Sequence, residues 1–185
     1  MQTFIFPVYL TGAVASGIKN ADQQLGWATA VAGFLLALIA PVLGRRSDET
    51  GRRKFWLLIN TGILVVVTAA SFFVEPKPEY FLFGLVLYGI GSVIQESAFI
   101  NYYAMLKGVT TEKNIGRISG YAWGLGYVGG IILLLISLVG FVLPENPLFG
   151  IGKENAINIR TIFLFAAGWI LVFTIPLRSE EHTSE

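Results

Sequence analysis

The chain has 185 residues, of which 54% are apolar and only 14% charged, with a mean hydropathy of +0.66 and a formal net charge of +1. A soluble domain of this size would have too little polar surface to cover itself, which excludes an ordinary water-soluble globule. Cysteine is absent, which excludes a disulfide framework and thiolate metal sites.

In chain order, apolar runs fall at about residues 1–17, 24–43, 55–74, 80–106, 118–143 and 157–177, each bounded by charge, Pro or Gly. Crossing ~30 Å of hydrocarbon takes ~20 apolar residues, and five of these runs reach or approach that length. Strands of a membrane barrel would be about ten residues long with alternating polarity, so these longer, uniformly apolar segments predict helices. The fold class that follows is an all-α polytopic membrane protein of six transmembrane helices. The first run (Phe4, Ile5, Phe6, Val8, Tyr9, Leu10) is short and lacks the layout of a signal peptide, so it is expected to be the outer part of a truncated first helix.

The last eight residues, Arg178 to Glu185, break abruptly from the apolar run and resemble the translation of a sequencing-adapter oligonucleotide. They are expected to be a processing artefact, with a native polar tail as the alternative, which would leave 1–177 as the six-helix unit and 178–185 as a foreign tail. Without the tail's one Arg and three Glu, residues 1–177 carry 12 basic and 9 acidic groups. The tail also holds the only histidine.

Loop charge sets the expected orientation. Arg45, Arg46, Arg52, Arg53, Lys54, Lys107, Lys113 and Arg117 lie on one side, eight in all, against the four of Lys19, Lys77, Lys153 and Arg160 on the other. By the positive-inside rule, the 44–54 and 107–117 loops are expected in the cytoplasm of a multi-pass protein of the cell (inner) membrane.

Between the second and third runs stands Gly44-Arg45-Arg46-Ser47-Asp48-Glu49-Thr50-Gly51-Arg52-Arg53-Lys54. Gly51 permits the positive φ of a tight turn, and Arg45 and Arg46 suit the carbonyl end of the preceding helix. Arg52, Arg53 and Lys54 oppose the dipole of the next helix, so something other than helix stability holds them there. A plain positive-inside loop would explain the basic residues but neither Asp48 nor the glycine spacing.

The pattern Gly44, Asp48, Gly51, Arg52, Arg53, with its flanking spans, resembles the signature loop of the major facilitator superfamily. Asn101-Tyr102-Tyr103-Ala104-Met105-Leu106, then Glu112 to Gly120, then Trp123-Gly124-Leu125-Gly126-Tyr127-Val128-Gly129-Gly130, with Phe6-Pro7-Val8-Tyr9, resemble its autophagic vacuole-effluxer branch. The resemblance implies the N-terminal half of a major facilitator fold, with a second six-helix half missing from this chain. It also implies efflux of a small solute, amino acids among the candidates, and a role for the signature loop as a conformational gate. The fourth helix carries Gln95 and Glu96 where many proton-coupled relatives have an arginine, and the fifth lacks the Gly-Pro of the antiporter motif. Both departures weaken a carry-over of drug/proton antiport.

Glu96 is the one acidic residue deep in a predicted span, about 24 Å along the helix from Tyr80. A carboxylate at such depth by default faces a cavity or a partner. Tyr88, Ser92, Gln95 and Phe99 fall on one helical stripe with Glu96 at its shoulder, a candidate substrate pathway. A structural role, with Glu96 paired to an arginine such as Arg117, is the alternative. Asn101 points away from the stripe and suits a packing hydrogen bond. In the fifth helix, Gly120-x-x-x-Gly124 and Gly126-x-x-x-Gly130 predict close helix packing. Trp27, Trp56, Tyr80 and Trp123 lie near segment ends and are expected as interface anchors.

Intramembrane catalysis would want histidines, cysteines or paired aspartates at depth, and residues 1–177 offer only Asp22 and Asp48, both in predicted loops. An enzyme, a metal site, a cofactor and a nucleic-acid partner are therefore not expected. The expected partners are a small-molecule solute, the lipid bilayer and the second half, with a non-transporting receptor or scaffold on the same fold as the alternative.

Overall fold

A computed structural model of the chain describes residues 4–179 apart from Glu112 and Asn146, with the backbone alone at 47–50, 107, 109 and 176–179. The tail beyond Ser179 lies outside the described residues. Six helices follow in order: α1 (Ile5–Tyr9, continued by a π-turn over Leu10–Val14), α2 (Ala21–Thr50), α3 (Arg53–Ala70), α4 (Phe81–Val109), α5 (Ile115–Ser137, continued by a π-turn over Leu138–Val142) and α6 (Ile157–Ser179). Five are long and apolar enough to cross a membrane, and Ile5–Val14 is a shorter apolar helix. There is no strand among the described residues.

The α2–α3 connection is tighter than its composition suggests. No residue between Gly44 and Thr50 breaks the helix, so α2 continues through Thr50 and only Gly51 and Arg52 turn the chain. Gly51 has φ +64°, in the left-handed region that costs an L-residue ~1–2 kcal/mol. The expected eleven-residue loop is thus mostly the last two turns of a helix.

Packing centres on α3 and α4, with α2 along α4 and α6 along α3. The core lies at the end far from the Gly51 hairpin, where Phe6, Tyr9 and Leu10 of α1 meet Val74, Phe81 and Leu85 and Phe163 of α6. Phe6 meets Phe163 edge-to-face at 5.1 Å, and the Tyr9 hydroxyl donates to the Val74 carbonyl at 2.7 Å. Gly84 is where α1 crosses α4: a Cβ there would collide with the Leu10 side chain. Below this junction, α5 touches α4 and α6 only sparsely.

Most of the apolar surface is left uncovered. Only 6% of the apolar stretch of α2 is buried, and Trp27, Phe34, Leu38, Leu125, Ile131, Val172 and Phe173 are all exposed. Apolar surface on this scale needs lipid or further protein against it, and the helices satisfy their own backbone hydrogen bonds as a spanning segment must.

Candidate functional site

The hairpin is tied to α4. Arg53, at the first position of α3, donates from Nη1 to the carbonyl of Ala104 in the penultimate turn of α4 at 2.9 Å. A hydrogen bond from a charged donor contributes roughly 1.5–3 kcal/mol, enough to offset the dipole penalty of a cation at a helix start. Arg46, near the end of α2, lies 5.8 Å from the centroid of the Trp56 ring on α3, a cation–π contact that closes the hairpin from its other arm. Gly44 and Asp48 fall on the last two turns of α2, and the Asp48 side chain lies outside the described residues. Arg52 caps α3 with φ −94° and is exposed.

On α4 the predicted stripe divides. Tyr88 is half-buried and packs against the core. The Ser92 hydroxyl donates to the Tyr88 carbonyl at 2.8 Å, within its own helix, so its proton is already used. Phe99 stacks on Trp123 of α5 with ring centroids 6.1 Å apart and planes 8° from parallel. Gln95 is half-buried and Glu96 is exposed, and neither forms a hydrogen bond or ion pair among the described residues. The alternative pairing of Glu96 with Arg117 is not formed. Asn101 is buried and donates from Nδ2 to the Ser97 carbonyl at 3.0 Å, a bond within its own helix.

The glycine pattern of α5 does not act as expected within this unit. A Cβ on Gly120, Gly124, Gly126 or Gly130 would meet nothing within 4 Å, and all four residues are exposed. The pattern permits close approach but does not name the partner, and α5 has little of α4 or α6 against it. The close approaches come instead at Gly84 and at Gly140, where a Cβ would sit 2.6 Å from Leu148 Cδ1.

Two residues carry more than their sequence position implied. Arg160, counted as a loop charge, is buried in the first turn of α6: its Nε donates to the Phe72 carbonyl at 2.6 Å and its guanidinium lies 4.9 Å from the Phe72 ring. Trp123, expected as an interface anchor, sits two turns inside α5 and stacks on Phe99 of α4. Near Arg160, the Lys77 ammonium lies 2.6 Å from Glu75 Oε2, and this hydrogen bond, with the nearby cations, holds the Glu75 carboxyl below its ordinary value.

An apolar groove of about 650 Å³ runs between α2 and α4, lined by Trp27, Val31, Leu35, Val86, Ile90 and Val93 among others. Glu96 is not among its lining residues. Among the described residues no three His, Cys, Asp or Glu side chains gather as a metal site would require.

Membrane-length apolar helices joined by a basic, glycine-turned hairpin that is anchored to a third helix define an integral, multi-pass membrane protein. The chain belongs to the Major Facilitator Superfamily, which it matches over residues 1–184. It is 31% identical over 187 residues to the uncharacterized MFS-type transporter YxiO of Bacillus subtilis, covering 98% of this chain and 42% of that protein. It is 37% identical over 60 residues to autophagy-related protein 22-1 of Penicillium rubens, covering 32% of this chain and 9% of that protein. It is also 24% identical over 171 residues to the D-xylose transporter of Levilactobacillus brevis, covering 76% of this chain and 37% of that protein. The chain therefore spans less than half the length of each of these relatives. No solved structure matches it.

Proposed function

We propose that residues 1–177 form the first half of a secondary transporter that moves a small polar solute by alternating access, its site completed by a second six-helix half. The observation that carries this reading is Glu96, an exposed carboxylate with no partner among the described residues, in the middle of a membrane-length helix. Such a group is costly against lipid, and a water-filled path between two halves is where it is tolerated. Exposed α5, with its unopposed glycines, offers the surface a second half would pack against.

Gln95 and Glu96 are the residues of the predicted stripe that best suit the pathway, while Gly44, Asp48, Gly51, Arg52 and Arg53 act as the gate. Arg53 supplies a mechanical link: its bond to Ala104 joins the hairpin to the helix that bears Glu96, eight residues or about 12 Å away. The 44–54 and 107–117 segments face the cytoplasm in this reading, and the host is the cell membrane. Amino-acid efflux follows from the vacuole-effluxer resemblance, and the relative named for D-xylose makes a pentose the second solute class to test.

The test is transport by the full-length protein in proteoliposomes, with amino acids and D-xylose as candidate solutes. Glu96→Gln is expected to reduce uptake or change its pH dependence while assembly is unchanged. Full activity of Glu96→Gln at every pH would remove Glu96 from the pathway, and absence of all transport would favour a receptor or scaffold on this fold.

A further inference from the structure

Where α4 crosses α5, four aromatic rings form a continuous ladder beside Glu96. Tyr103 stacks on Phe99 at 6.2 Å and 29°, Phe99 on Trp123 at 6.1 Å and 8°, and Tyr127 leans on Trp123 at 5.7 Å. Glu96, Phe99 and Tyr103 are spaced three and seven residues apart, which puts them on one face of α4. Rings that serve only to fill a core are buried, yet Tyr103 and Trp123 are each 41% exposed and Tyr127 is 62% exposed. Interface anchors sit at helix ends, whereas Trp123 lies eight residues, about 12 Å, inside α5.

We propose that this ladder and Glu96 together bind an organic cation, a solute bearing an ammonium or guanidinium group. The inference rests on the pathway reading above and adds the charge and chemical class of the solute. In this ladder the outer faces are those of the end rungs, Tyr103 and Tyr127, and an electron-rich aromatic face attracts a cation, most strongly where water is excluded. The carboxylate adds a full counter-charge. A neutral sugar could stack on the same rings, but it would leave the Glu96 charge uncompensated at membrane depth. An ammonium group neutralises the carboxylate and occupies the ring faces at once.

The test uses the full-length protein in detergent, titrated calorimetrically with choline, tetraethylammonium and L-arginine. Dimethylbutanol, the neutral carbon isostere of choline, D-xylose and a neutral amino acid serve as comparators. Choline or another of the cations is expected to bind at least about tenfold more tightly than the isostere. Glu96→Gln and Tyr127→Leu should each weaken that binding about tenfold, while Tyr127→Phe, which keeps an aromatic face, retains most of it. Retention in Tyr127→Phe assigns the loss in Tyr127→Leu to the ring face and not to the hydroxyl. No binding by any of the three cations, or cation binding unaffected by both Glu96→Gln and Tyr127→Leu, overturns the proposal. If instead D-xylose or the neutral amino acid binds and Glu96→Gln weakens it, the pathway reading stands and the cation assignment falls. If Glu96→Gln alters the binding of no solute, both readings fall.

Discussion

The Arg160 side chain reaches from α6 to the end of α3, where its Nε donates to the Phe72 carbonyl at 2.6 Å and its guanidinium lies 4.9 Å from the ring of the same residue. One side chain thus satisfies a carbonyl just past the end of α3 and packs its flat face on an aromatic ring. Arg160→Met removes the donor and leaves that half-buried carbonyl without it, a loss of about 1 kcal/mol. Arg160→Lys keeps the charge but loses the planar stack and should fall between the two. Thermal unfolding in detergent measures both. The depressed Glu75 carboxyl nearby gives a matching pH trend: its contribution is present above its unfolded value and fades as pH falls through the folded one, so acid should lower the melting temperature and Glu75→Gln should reduce that effect.

Thr68 is buried on α3 and its hydroxyl has no hydrogen-bond partner among the described residues. Thr68→Val keeps the shape and removes the unpaired polar group. The variant is expected to be neutral or more stable by up to about 1 kcal/mol. A clear loss of stability would mean that the hydroxyl has a partner in the full-length protein, and transport assays on the same variant would show whether that partner is functional.

Gly51 and Gly84 should respond differently from the exposed glycines of α5. Gly51→Ala forces a Cβ into positive φ at the hairpin and should cost about 1 kcal/mol, with Gly51→Asn milder because asparagine tolerates that region. Gly84→Val pushes into Leu10 where α1 crosses α4 and should cost about 2 kcal/mol, as overpacked cores do. By contrast Gly124→Ala in the isolated half should be silent, since nothing lies within 4 Å. Loss of stability on Gly124→Ala only in the full-length protein would locate the second half against α5.

How much of this was legible in the sequence follows from the range of each interaction. Apolar length is a local property, and the helices α2 to α6 fall close to the runs that composition marks out. Gly51 was legible for the same reason: a two-residue turn needs positive φ. The continuation of α2 through Gly44–Thr50 was not, because Arg, Ser, Asp and Glu look like a loop although only Gly51 breaks the helix. Arg160 was misjudged because its partner, Phe72, is 88 residues away in sequence. The same applies to Phe99 and Trp123, whose stacking depends on how α5 leans on α4. The α5 glycines show the converse failure, since spacing reports that approach is allowed without saying which helix approaches.

Orientation is open to direct measurement in a background that has no cysteine to remove. Single cysteines at Ser47 and Lys113 should react with an impermeant thiol reagent only from the cytoplasmic side, and cysteines at Lys77 and Lys153 only from outside. Labelling of Ser47Cys from outside would invert the whole assignment.

The last prediction separates gate from site. Asp48 lies in the final turn of α2, flanked in sequence by Arg45, Arg46, Arg52 and Arg53, and Arg53 is bonded to α4 at Ala104. If this cluster biases the equilibrium between inward-open and outward-open forms, Asp48→Asn should slow turnover or shift that population while intrinsic solute affinity in a matched state stays nearly unchanged. Arg53→Met, which removes the tether to α4, should produce the same class of defect, because a gate can act on the pathway helix only through a physical link. Glu96→Gln should instead change affinity or its pH dependence. Binding measured in protein trapped in each state, alongside transport in proteoliposomes, distinguishes the two classes. If Asp48→Asn abolishes binding in every state while Glu96→Gln is silent, the gate and the site have been assigned the wrong way round.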